Sequence, residues 1–367
     1  MCVRLCIEVI EMSKIIWRWF SRAKLKYLFV FFVVFTIFYV SGLLTRLFEK
    51  DVRYFTYPYE GNIGTLLLAL RNNDTPSVKP INSYNYELLS DSHKKCSDNE
   101  HLRLVFVIKS ALENFERRSV IRNTWGNERR FIDVNIRTVF LLGIRNNDEL
   151  QQKITAEYSK HGDIVQATFQ DTYFNNTIKT MMGFKWAVTV CPKARFYMFV
   201  DDDFYVSTKN VLAFIRSPFK YPTHSSVENF NGNEDLDLPD GIRFYGGYAK
   251  PARPMRDLFS KWYITLEEYP YNAYPLYVTA GAYIVSKEAL VDFYYGSFYT
   301  KHFRFDDIYM GILANKINIL PFHSNHFYTF GRQSDLAKYK YLIASHGYEN
   351  SNFLLKTWLN LKSLGYA

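Results

Sequence analysis

An apolar strand that runs directly into three carboxylates constrains the fold of this chain more than any other feature. Phe196 to Val200 reads Phe-Tyr-Met-Phe-Val and is followed by Asp201, Asp202 and Asp203. A run with so little alternation is typical of a strand that is buried on both faces of a sheet. Ligands of α/β sheets collect at the carboxyl ends of such strands. The stretch therefore predicts a buried strand whose acidic end faces a ligand.

The three carboxylates predict a cation site. Adjacent negative charges repel one another unless a positive charge lies between them. Side chains at positions i and i+2 of an extended backbone share a face, so Asp201 and Asp203 can converge on one cation. A hard divalent metal, Mn2+ or Mg2+, that bridges the phosphates of a substrate is the natural partner. The alternative is a solvated acidic turn after a core strand.

Strand and helix patterns alternate from about residue 100 onward. The predicted strands are Leu102–Lys109, Arg137–Leu142, Ile164–Phe169, Phe196–Val200 and Ala282–Val285, and the predicted helices are Glu113–Trp125, Asp148–Lys160, Ile178–Val190 and Ile308–Lys316. Such alternation predicts an α/β fold with a mostly parallel central sheet flanked by helices. Residues 217–240 are acidic and rich in turn formers, which indicates a surface loop.

Composition argues for a large folded domain and against a nucleic-acid partner. The chain has 367 residues, of which 48% are hydrophobic, and can therefore bury a large core. Its net charge is +9, and residues 1–26 hold six basic and two acidic side chains. The remaining positive charge is spread thinly and forms no Lys/Arg block of the kind that binds nucleic acid.

Residues 27–44 are apolar and uncharged over about 18 positions, close to the ~20 that span a bilayer. Basic residues precede this run, so the positive-inside rule leaves residues 1–26 in the cytoplasm and the bulk of the chain in the lumen. A cleaved signal peptide is the alternative. We expect an uncleaved type II transmembrane anchor at 27–44, a lumenal stem at 45–95 and a folded lumenal domain at 96–367.

Lumenal topology leads to two further predictions. Cys96 and Cys191 would lie in an oxidising compartment, and each precedes a predicted core strand, so they can pair if those strands are neighbours. Two unpaired thiols are the alternative. Asn73 and Asn175 begin the glycosylation sequons Asn-Asp-Thr and Asn-Asn-Thr, the second of which includes Asn176.

A second acidic site precedes the predicted helix Ile308–Lys316. Asp306 and Asp307 stand there in an aromatic setting. An acid at a helix start commonly serves as the N-cap, whereas a carboxylate beside a metal–phosphate site can act as a general base. The two roles can be divided, with Asp306 capping the helix and Asp307 reaching into the site, and spacing alone assigns neither.

Two further groups of residues are candidates for substrate contacts. Arg118 and Arg122 lie one helical turn apart and could bind a diphosphate, and ordinary salt bridges are the alternative. The aromatic-rich stretch 261–286 predicts a sugar-binding wall that includes Trp262, Tyr263 and Tyr277, or else an aromatic core. In the same stretch, Gly281 would let a ligand approach the backbone closely.

Five motifs of this sequence, in this order, resemble those of the Golgi β-1,3-glycosyltransferase family, which contains β-1,3-galactosyl- and β-1,3-N-acetylglucosaminyltransferases. The motifs are Arg117–Gly126, Val200–Val206, Lys261–Tyr263, Tyr274–Gly281 and Asp306–Gly311. The resemblance implies a GT-A fold, a UDP-sugar donor, Mn2+ with Mg2+ as the alternative, inversion at the anomeric carbon and a Golgi membrane location.

The resemblance also assigns roles to individual residues. Asp201 and Asp203 match the family's metal-binding aspartates, with Asp203 as the more direct ligand, and Asp201 and Asp202 are expected to face the nucleotide. Asp307 matches the catalytic aspartate, and its neighbour Asp306 is expected at the substrate pocket. His346 lies where members carry a histidine before the last helix, which makes it a candidate metal ligand.

Several shorter motifs resemble the invertebrate branch that adds N-acetylglucosamine to glycolipids. They include His161–Ala167, Tyr173–Met181, Leu266–Tyr271 and Ile343–His346. This likeness implies UDP-GlcNAc as donor and the mannose of a glycosphingolipid core as acceptor. UDP-Gal is the alternative donor, and a catalytically inactive chaperone or glycan-binding protein on the same fold is the alternative class.

Overall fold

The computed structural model describes residues 25–56, 63–97, 101–223 and 238–367. The chain divides into two compact units. The smaller unit comprises Met1–Phe55 and Ala252–Ala273, and the larger comprises Thr56–Pro251 and Tyr274–Ala367. Most of the predicted surface loop at 217–240 lies outside the described residues.

Strands and helices alternate from residue 88 to residue 201, in agreement with the predicted alternation from about residue 100, and beyond residue 201 elements of the same kind often follow one another. The helices are α1 (Leu25–Val40), α2 (Leu43–Arg46), α3 (Ile63–Arg71), α4 (Lys94–Ser97), α5 (Phe115–Asn123), α6 (Asp148–His161), α7 (Asn176–Thr189), α8 (Thr208–Arg216), α9 (Lys287–Ser297), α10 (Asp306–Lys316) and α11 (Ser351–Ser363). The strands are β1 (Leu88–Ser90), β2 (Leu102–Lys109), β3 (Asn135–Ile144), β4 (Ile164–Gln170), β5 (Phe196–Asp201), β6 (Phe204–Val206), β7 (Tyr245–Lys250), β8 (Tyr277–Ser286), β9 (Phe322–His323), β10 (Phe327–Tyr328) and β11 (Ala344–His346).

Eight strands form the main sheet in the order β1-β4-β3-β2-β5-β8-β7-β9. The strands β4, β3, β2 and β5 are mutually parallel, whereas β8 is antiparallel to both β5 and β7. Strand β9 is parallel to β7, and β1 is antiparallel to β4. The sheet is therefore mixed, with antiparallel pairing at β1 and on both sides of β8. Parallel neighbours need a crossover, usually a helix. The structure describes all of residues 251–276, which join β7 to β8 and contain no α-helix. Without a helical crossover between them, the two strands run antiparallel.

Strand β5 is buried on both faces, as its apolar run predicts. Phe199 packs against Phe184 of α7, with ring centroids 4.7 Å apart. Its neighbours Met198 and Val200 point to the opposite face, where they join the main apolar core. The acidic residues that follow are thereby fixed at the carboxyl end of a rigid central strand.

A small second sheet, in the order β10-β11-β6, lies next to the acidic turn. Strand β6 begins at Phe204, directly after the Asp triplet, and runs antiparallel to β11, with Phe204 opposite His346. The backbone N–H of Tyr348 donates to the carbonyl of Asp203 at 2.8 Å. This pairing brings residues near position 346 to the acidic turn although they are distant in sequence.

Cys96 and Cys191 form a disulfide with their Cα atoms 5.2 Å apart. Each precedes a core strand, and these strands, β2 and β5, are parallel neighbours. The expected pairing is present because the two strands begin at the same edge of the sheet. Closing a loop across 95 residues stabilises a fold by about 4 to 5 kcal/mol in the chain-entropy treatment.

The second half of the predicted stem is folded, which corrects the expected linker at 45–95. Leu66 and Leu67 of α3 are buried, and the guanidinium of Arg71 forms ion pairs with two carboxylates of α9. Strand β1 pairs with β4. The elements within residues 63–97 are short, so few apolar positions on each carry a periodic signal and only long-range contacts reveal them.

The smaller unit contains α1, α2 and the aromatic segment 252–273. The predicted anchor 27–44 covers most of α1, the turn after it and the first residues of α2. Within the described ranges, none of the helices combines the length and the hydropathy that a membrane crossing requires.

Candidate active site

A buried lysine holds the two acidic motifs together. Lys109 is the last residue of β2 and lies opposite Asp201 in the parallel register with β5. Its Nζ is 3.0 Å from Oδ1 of Asp201 and 2.8 Å from Oδ2 of Asp306, and its side chain is only 4% exposed. Burial alone would lower the pKa of Lys109, but the two carboxylates outweigh burial and hold that pKa above its usual value. Lys109 is therefore a permanent cation between the motifs.

Asp306 does not cap helix α10, contrary to the expectation. Phe305 occupies the N-cap position, and Asp306 is the first helical residue. Its carboxylate accepts hydrogen bonds from Lys109 and from the hydroxyl of Thr180, at 2.8 and 3.0 Å. Burial would raise the pKa of Asp306, but Lys109 holds it below the usual value. Asp306 thus stays ionised as the counterion of Lys109 rather than facing a substrate.

Asp307 differs from its neighbour because no lysine or arginine among the described residues forms an ion pair with its carboxylate. Burial, followed by the negative charge of Asp306, raises the pKa of Asp307 to about 7. Its Oδ1 accepts a hydrogen bond from the backbone N–H of Ile308 at 2.8 Å. A carboxylate whose pKa lies near neutrality is suited to general base catalysis.

Close helix–strand packing fixes the position of Asp307. A Cβ added at Gly311 of α10 would lie 2.4 Å from the Cβ of Tyr277 on β8. The helix can therefore approach the sheet at this point only because residue 311 is glycine. Burial and the charge of Asp307 raise the pKa of Tyr277. Tyr277 thus lies buried next to Asp307, and its place in a substrate pocket stays a prediction.

Three potential metal ligands converge beside the acidic turn. Asp203, His346 and Glu349 each offer one ligand atom, and these atoms lie within 4.8 Å of one another. The Nε2 of His346 is 3.3 Å from Oδ2 of Asp203, and this contact raises the pKa of the histidine. The structure brings together the predicted ligands Asp203 and His346 and adds Glu349, which the sequence analysis does not identify.

The donor set fits a divalent metal. Among the described residues, Oδ1 of Asp203 is a buried carboxylate oxygen without a hydrogen-bond partner, and such an atom is costly unless a ligand satisfies it. Two carboxylates with one imidazole suit Mn2+ better than Mg2+, because Mg2+ prefers oxygen ligands alone.

Asp201 does not converge with Asp203 on this cluster as the sequence predicts. Strand β5 ends at Asp201, and Asp202 and Asp203 form a turn, so the rule that i and i+2 share a face of an extended chain does not apply. Asp201 is instead ion-paired with Lys109, although its side chain remains 38% exposed.

Asp202 has a structural role instead of the expected contact with a nucleotide. Its buried carboxylate accepts hydrogen bonds from the hydroxyl of Ser110 at 2.6 Å, from the amide of Asn114 at 2.9 Å and from the guanidinium of Arg117 at 2.9 Å. Arg117 also donates to the backbone carbonyl of Glu349 at 2.9 Å. Asp202 therefore ties the acidic turn to the segment that carries Glu349.

Arg118 and Arg122 form an intramolecular ion-pair network, which corrects their expected role in diphosphate binding. Arg118 is fully buried and pairs with Glu157 at 2.7 Å. Arg122 pairs with Glu157 and with Asp163, each at 2.7 Å. This face of α5 lies against α6, so both guanidinium groups are bound by carboxylates of the protein itself. Both residues therefore form ordinary salt bridges, which was the alternative prediction for this pair.

Gly281 accommodates an aromatic ring rather than a ligand. A Cβ at this position would lie 2.4 Å from the ring of Phe204. That ring in turn contacts the imidazole of His346, with centroids 5.1 Å apart. The close approach expected at Gly281 is therefore made by Phe204, whose ring packs against His346 of the Asp203–His346–Glu349 cluster.

Two aromatic residues and the residues of the two sequons remain among the predicted positions. Trp262 and Tyr263 belong to the smaller unit, where Trp262 is half exposed and the ammonium of Lys261 lies 4.4 Å from the centre of its ring. Asn73 is exposed, whereas Asn175 is half-buried and its amide donates to the carbonyl of Gln170 at 2.8 Å. Asn176 begins helix α7. Glycosylation at either sequon stays a prediction.

Lys109 is the most important site residue that the sequence analysis misses. A charged residue at the end of an apolar strand, at the edge where ligands collect, was a usable signal. Glu349 carries no such signal, because it lies in a loop and is brought to the cluster by long-range contacts, the β6–β11 pairing and the hydrogen bond from Arg117.

The site can be compared with known proteins. Residues 116–325 match the model of the galactosyltransferase family. Beta-1,3-galactosyltransferase brn (brainiac) of Drosophila melanogaster is 39% identical over 89% of this chain and 92% of its own length. The human lactosylceramide 1,3-N-acetyl-beta-D-glucosaminyltransferase is 35% identical over 75% of this chain and 71% of its own.

Likeness to solved structures is weaker. The crystal structure of the galactosyltransferase LgtC with donor and acceptor sugar analogues covers 72% of this chain and all of that one, with a TM-score of 0.37 and 10% identity. The sequence matches extend over most of the chain and include both acidic motifs. The protein therefore belongs to the galactosyltransferase family and is a β-1,3-glycosyltransferase.

Proposed function

We propose that this enzyme transfers N-acetylglucosamine from UDP-GlcNAc in β-1,3 linkage, with inversion, and that Asp307 is its general base. The observation that carries the proposal is the contrast between two adjacent carboxylates. Lys109 keeps Asp306 ionised and occupied, while the pKa of Asp307 is raised to about 7. Asp307 is thus free to take a proton from the 3-hydroxyl of an acceptor sugar.

The other residues of the site prepare that step. Asp203, His346 and Glu349 would hold Mn2+, which when bound supplies the positive charge that neutralises a departing UDP. Lys109 fixes the relative positions of the two acidic motifs. Inversion follows if the acceptor hydroxyl, deprotonated by Asp307, attacks the anomeric carbon from the face opposite to the diphosphate.

The choice of donor and acceptor rests on resemblance. The motifs shared with the glycolipid branch favour UDP-GlcNAc and a mannose-terminated glycosphingolipid core. The names of the relatives include both galactosyl- and N-acetylglucosaminyltransferases, which makes UDP-Gal the second candidate. Both donors fit the same GT-A mechanism, because the difference lies at the C2 and C4 substituents of the sugar and not at the diphosphate.

The proposed setting is the Golgi membrane, with the active site in the lumen. The uncharged run 27–44, the basic residues before it and the exposed apolar side chains of α1 support an anchor. The Cys96–Cys191 disulfide supports a lumenal location for the larger unit, because disulfides persist in oxidising compartments.

The full-length protein in detergent, assayed with Mn2+, tests this proposal. UDP-GlcNAc and UDP-Gal are each offered with β-mannoside and β-galactoside acceptors, and the product linkage is determined by NMR. Transfer of GlcNAc to O3 of the mannoside is the expected result. Transfer from UDP-Gal alone would replace the donor, and an α-linked product would overturn the inverting mechanism.

A further inference from the structure

The helix α1 has apolar side chains on all its sides, and they are exposed. Tyr27, Phe31, Phe35 and Tyr39 are each about half exposed or more, and the helix carries no acidic residue in its first turn and no basic residue in its last. A helix that is apolar all round is stable only in apolar surroundings. This observation underlies the membrane anchor in the proposed function, on which the present inference rests.

The end of α1 is joined directly to the segment 252–263. The backbone N–H of Leu258 donates to the carbonyl of Val40, the last residue of the helix, at 3.1 Å. Gly42 adopts a left-handed conformation with φ 75°, and a Cβ there would lie 2.3 Å from the carbonyl oxygen of Arg256. The chain can leave the helix and pass this segment only because residue 42 is glycine.

A buried arginine makes the segment rigid. The Nε of Arg256 is 2.8 Å from a carboxylate oxygen of Glu49, and both side chains are almost fully buried. The same guanidinium donates to the backbone carbonyls of Ile264 and Tyr269, at 2.8 and 2.7 Å. The segment is therefore held in one conformation at the end of the apolar helix.

The outer side of this segment is apolar and aromatic. Phe259 is 85% exposed and Trp262 is 48% exposed, and Leu258 is exposed next to them. The ammonium of Lys261 lies over the ring of Trp262. Aromatic residues and lysine are enriched where a membrane-spanning helix leaves the hydrocarbon core, because their apolar parts enter the bilayer while their polar ends stay in water.

From the contact between Leu258 and Val40 and the exposed side chains of Leu258, Phe259 and Trp262, we infer that the segment 258–262 lies in the lumenal surface of the bilayer. The partner that this segment contacts is the phospholipid interface around the end of α1. A bilayer fits this segment better than a protein partner, because its exposed apolar side chains lie next to the hydrogen bond that joins Leu258 to the end of the exposed apolar helix.

The test places an environment-sensitive label in the segment. In a full-length background with Cys2→Ser and Cys6→Ser, Phe259→Cys is labelled with a bimane, since Cys96 and Cys191 are protected by their disulfide. The protein is reconstituted into phosphatidylcholine vesicles with or without acyl-chain dibrominated lipid. Glu267→Cys is the matched control, because Glu267 is exposed in the same unit but is charged.

The expected result is a blue shift and a large loss of emission at position 259 in brominated vesicles, with little change at position 267. Trp262→Cys should behave like Phe259→Cys. Equal, weak quenching at all three positions in protein that floats with the vesicles would overturn the inference and leave the anchor intact. Failure of the protein to float would overturn the anchor as well, whereas the glycosyl transfer assay tests the catalytic proposal separately. Thermal unfolding of each labelled variant checks the fold.

Discussion

The ammonium of Lys109 lies 2.8 Å from a carboxylate oxygen of Asp306, and this ion pair separates two adjacent aspartates into different chemical roles. Asp306 is ionised and paired with Lys109, whereas Asp307 forms no ion pair within the described part of the chain and has a raised pKa. The same lysine binds Asp201 at 3.0 Å. Lys109 therefore connects the motif Asp201–Asp203 to the motif Asp306–Asp307.

Replacing Lys109 by Met should destabilise the protein strongly. The change leaves two buried or partly buried carboxylates without their cation, and breaking such a pair typically costs about 3 to 5 kcal/mol. Urea unfolding monitored by tryptophan fluorescence measures the free energy. Lys153→Met is the control, because Lys153 pairs with Glu149 on the exposed surface and such pairs contribute about 0 to 1 kcal/mol. Equal effects of the two changes would contradict the central position of Lys109.

Transfer activity should depend on pH through the ionisation of Asp307. A general base works only when deprotonated, so kcat/KM should rise about tenfold per pH unit below neutrality and level off above pH ~7, where the pKa of Asp307 lies. The profile is measured with saturating metal at constant ionic strength. A rate that falls as the pH rises from 6 to 8 would contradict a carboxylate base with a raised pKa.

Glu349→Gln should weaken metal binding without unfolding the protein. Glu349 is exposed and contributes one of three convergent ligand atoms, so its loss should lower Mn2+ affinity by roughly 10- to 100-fold, at least as much as the loss of a group that only orients a metal ligand. Electron paramagnetic resonance of free Mn2+ in the presence of UDP gives the affinity. Glu149→Gln, an exposed change on helix α6, should leave that affinity unchanged. Unaltered binding in Glu349→Gln would remove this residue from the ligand set.

Gly281→Ala should disturb the same site from the opposite side. The added Cβ would lie 2.4 Å from the ring of Phe204, and overpacking of this kind costs about 1 to 3 kcal/mol. Because Phe204 contacts His346, Mn2+ affinity should fall together with stability. Combining Gly281→Ala with Phe204→Leu creates room for the methyl group and should recover part of the lost stability. Additive losses in the double variant would show that the two residues do not compete for space.

Leu67→Ala tests whether helix α3 belongs to the folded domain. Leu67 is buried, and truncation of a buried leucine costs about 2 to 5 kcal/mol. The next residue, Leu68, is 61% exposed, so Leu68→Ala should change stability by less than about 0.5 kcal/mol. Thermal unfolding distinguishes the two. Indifference to both changes would restore the simple stem that the sequence predicts.

Local patterns predicted much of the fold. Strand Leu102–Lys109 has the predicted bounds, and helix Asp148–His161 ends one residue later than predicted. Both were predicted well because each depends on the periodicity of neighbouring side chains. The antiparallel strand β8 was only partly predicted. Its pairing with β5 is determined by the path of the chain after residue 240, which no local pattern records.

The site was harder to predict, because its geometry depends on contacts between distant residues. Motif resemblance identified Asp203, His346 and Asp307 as candidates for the site. The Lys109–Asp306 pair joins positions 197 residues apart. The ion pair between Arg118 and Glu157 follows from the packing of two helices. Spacing within a motif says that Arg118 and Arg122 share a face but not which way that face points.

Single-turnover transfer by Asp307→Asn tests the central claim most directly. The amide keeps the shape of the carboxylate but cannot accept a proton from the acceptor. We expect transfer to fall by at least about 100-fold, the low end of what general base catalysis contributes, while calorimetry shows unchanged binding of UDP and Mn2+. Transfer at the wild-type rate with intact binding would contradict Asp307 as the catalytic base.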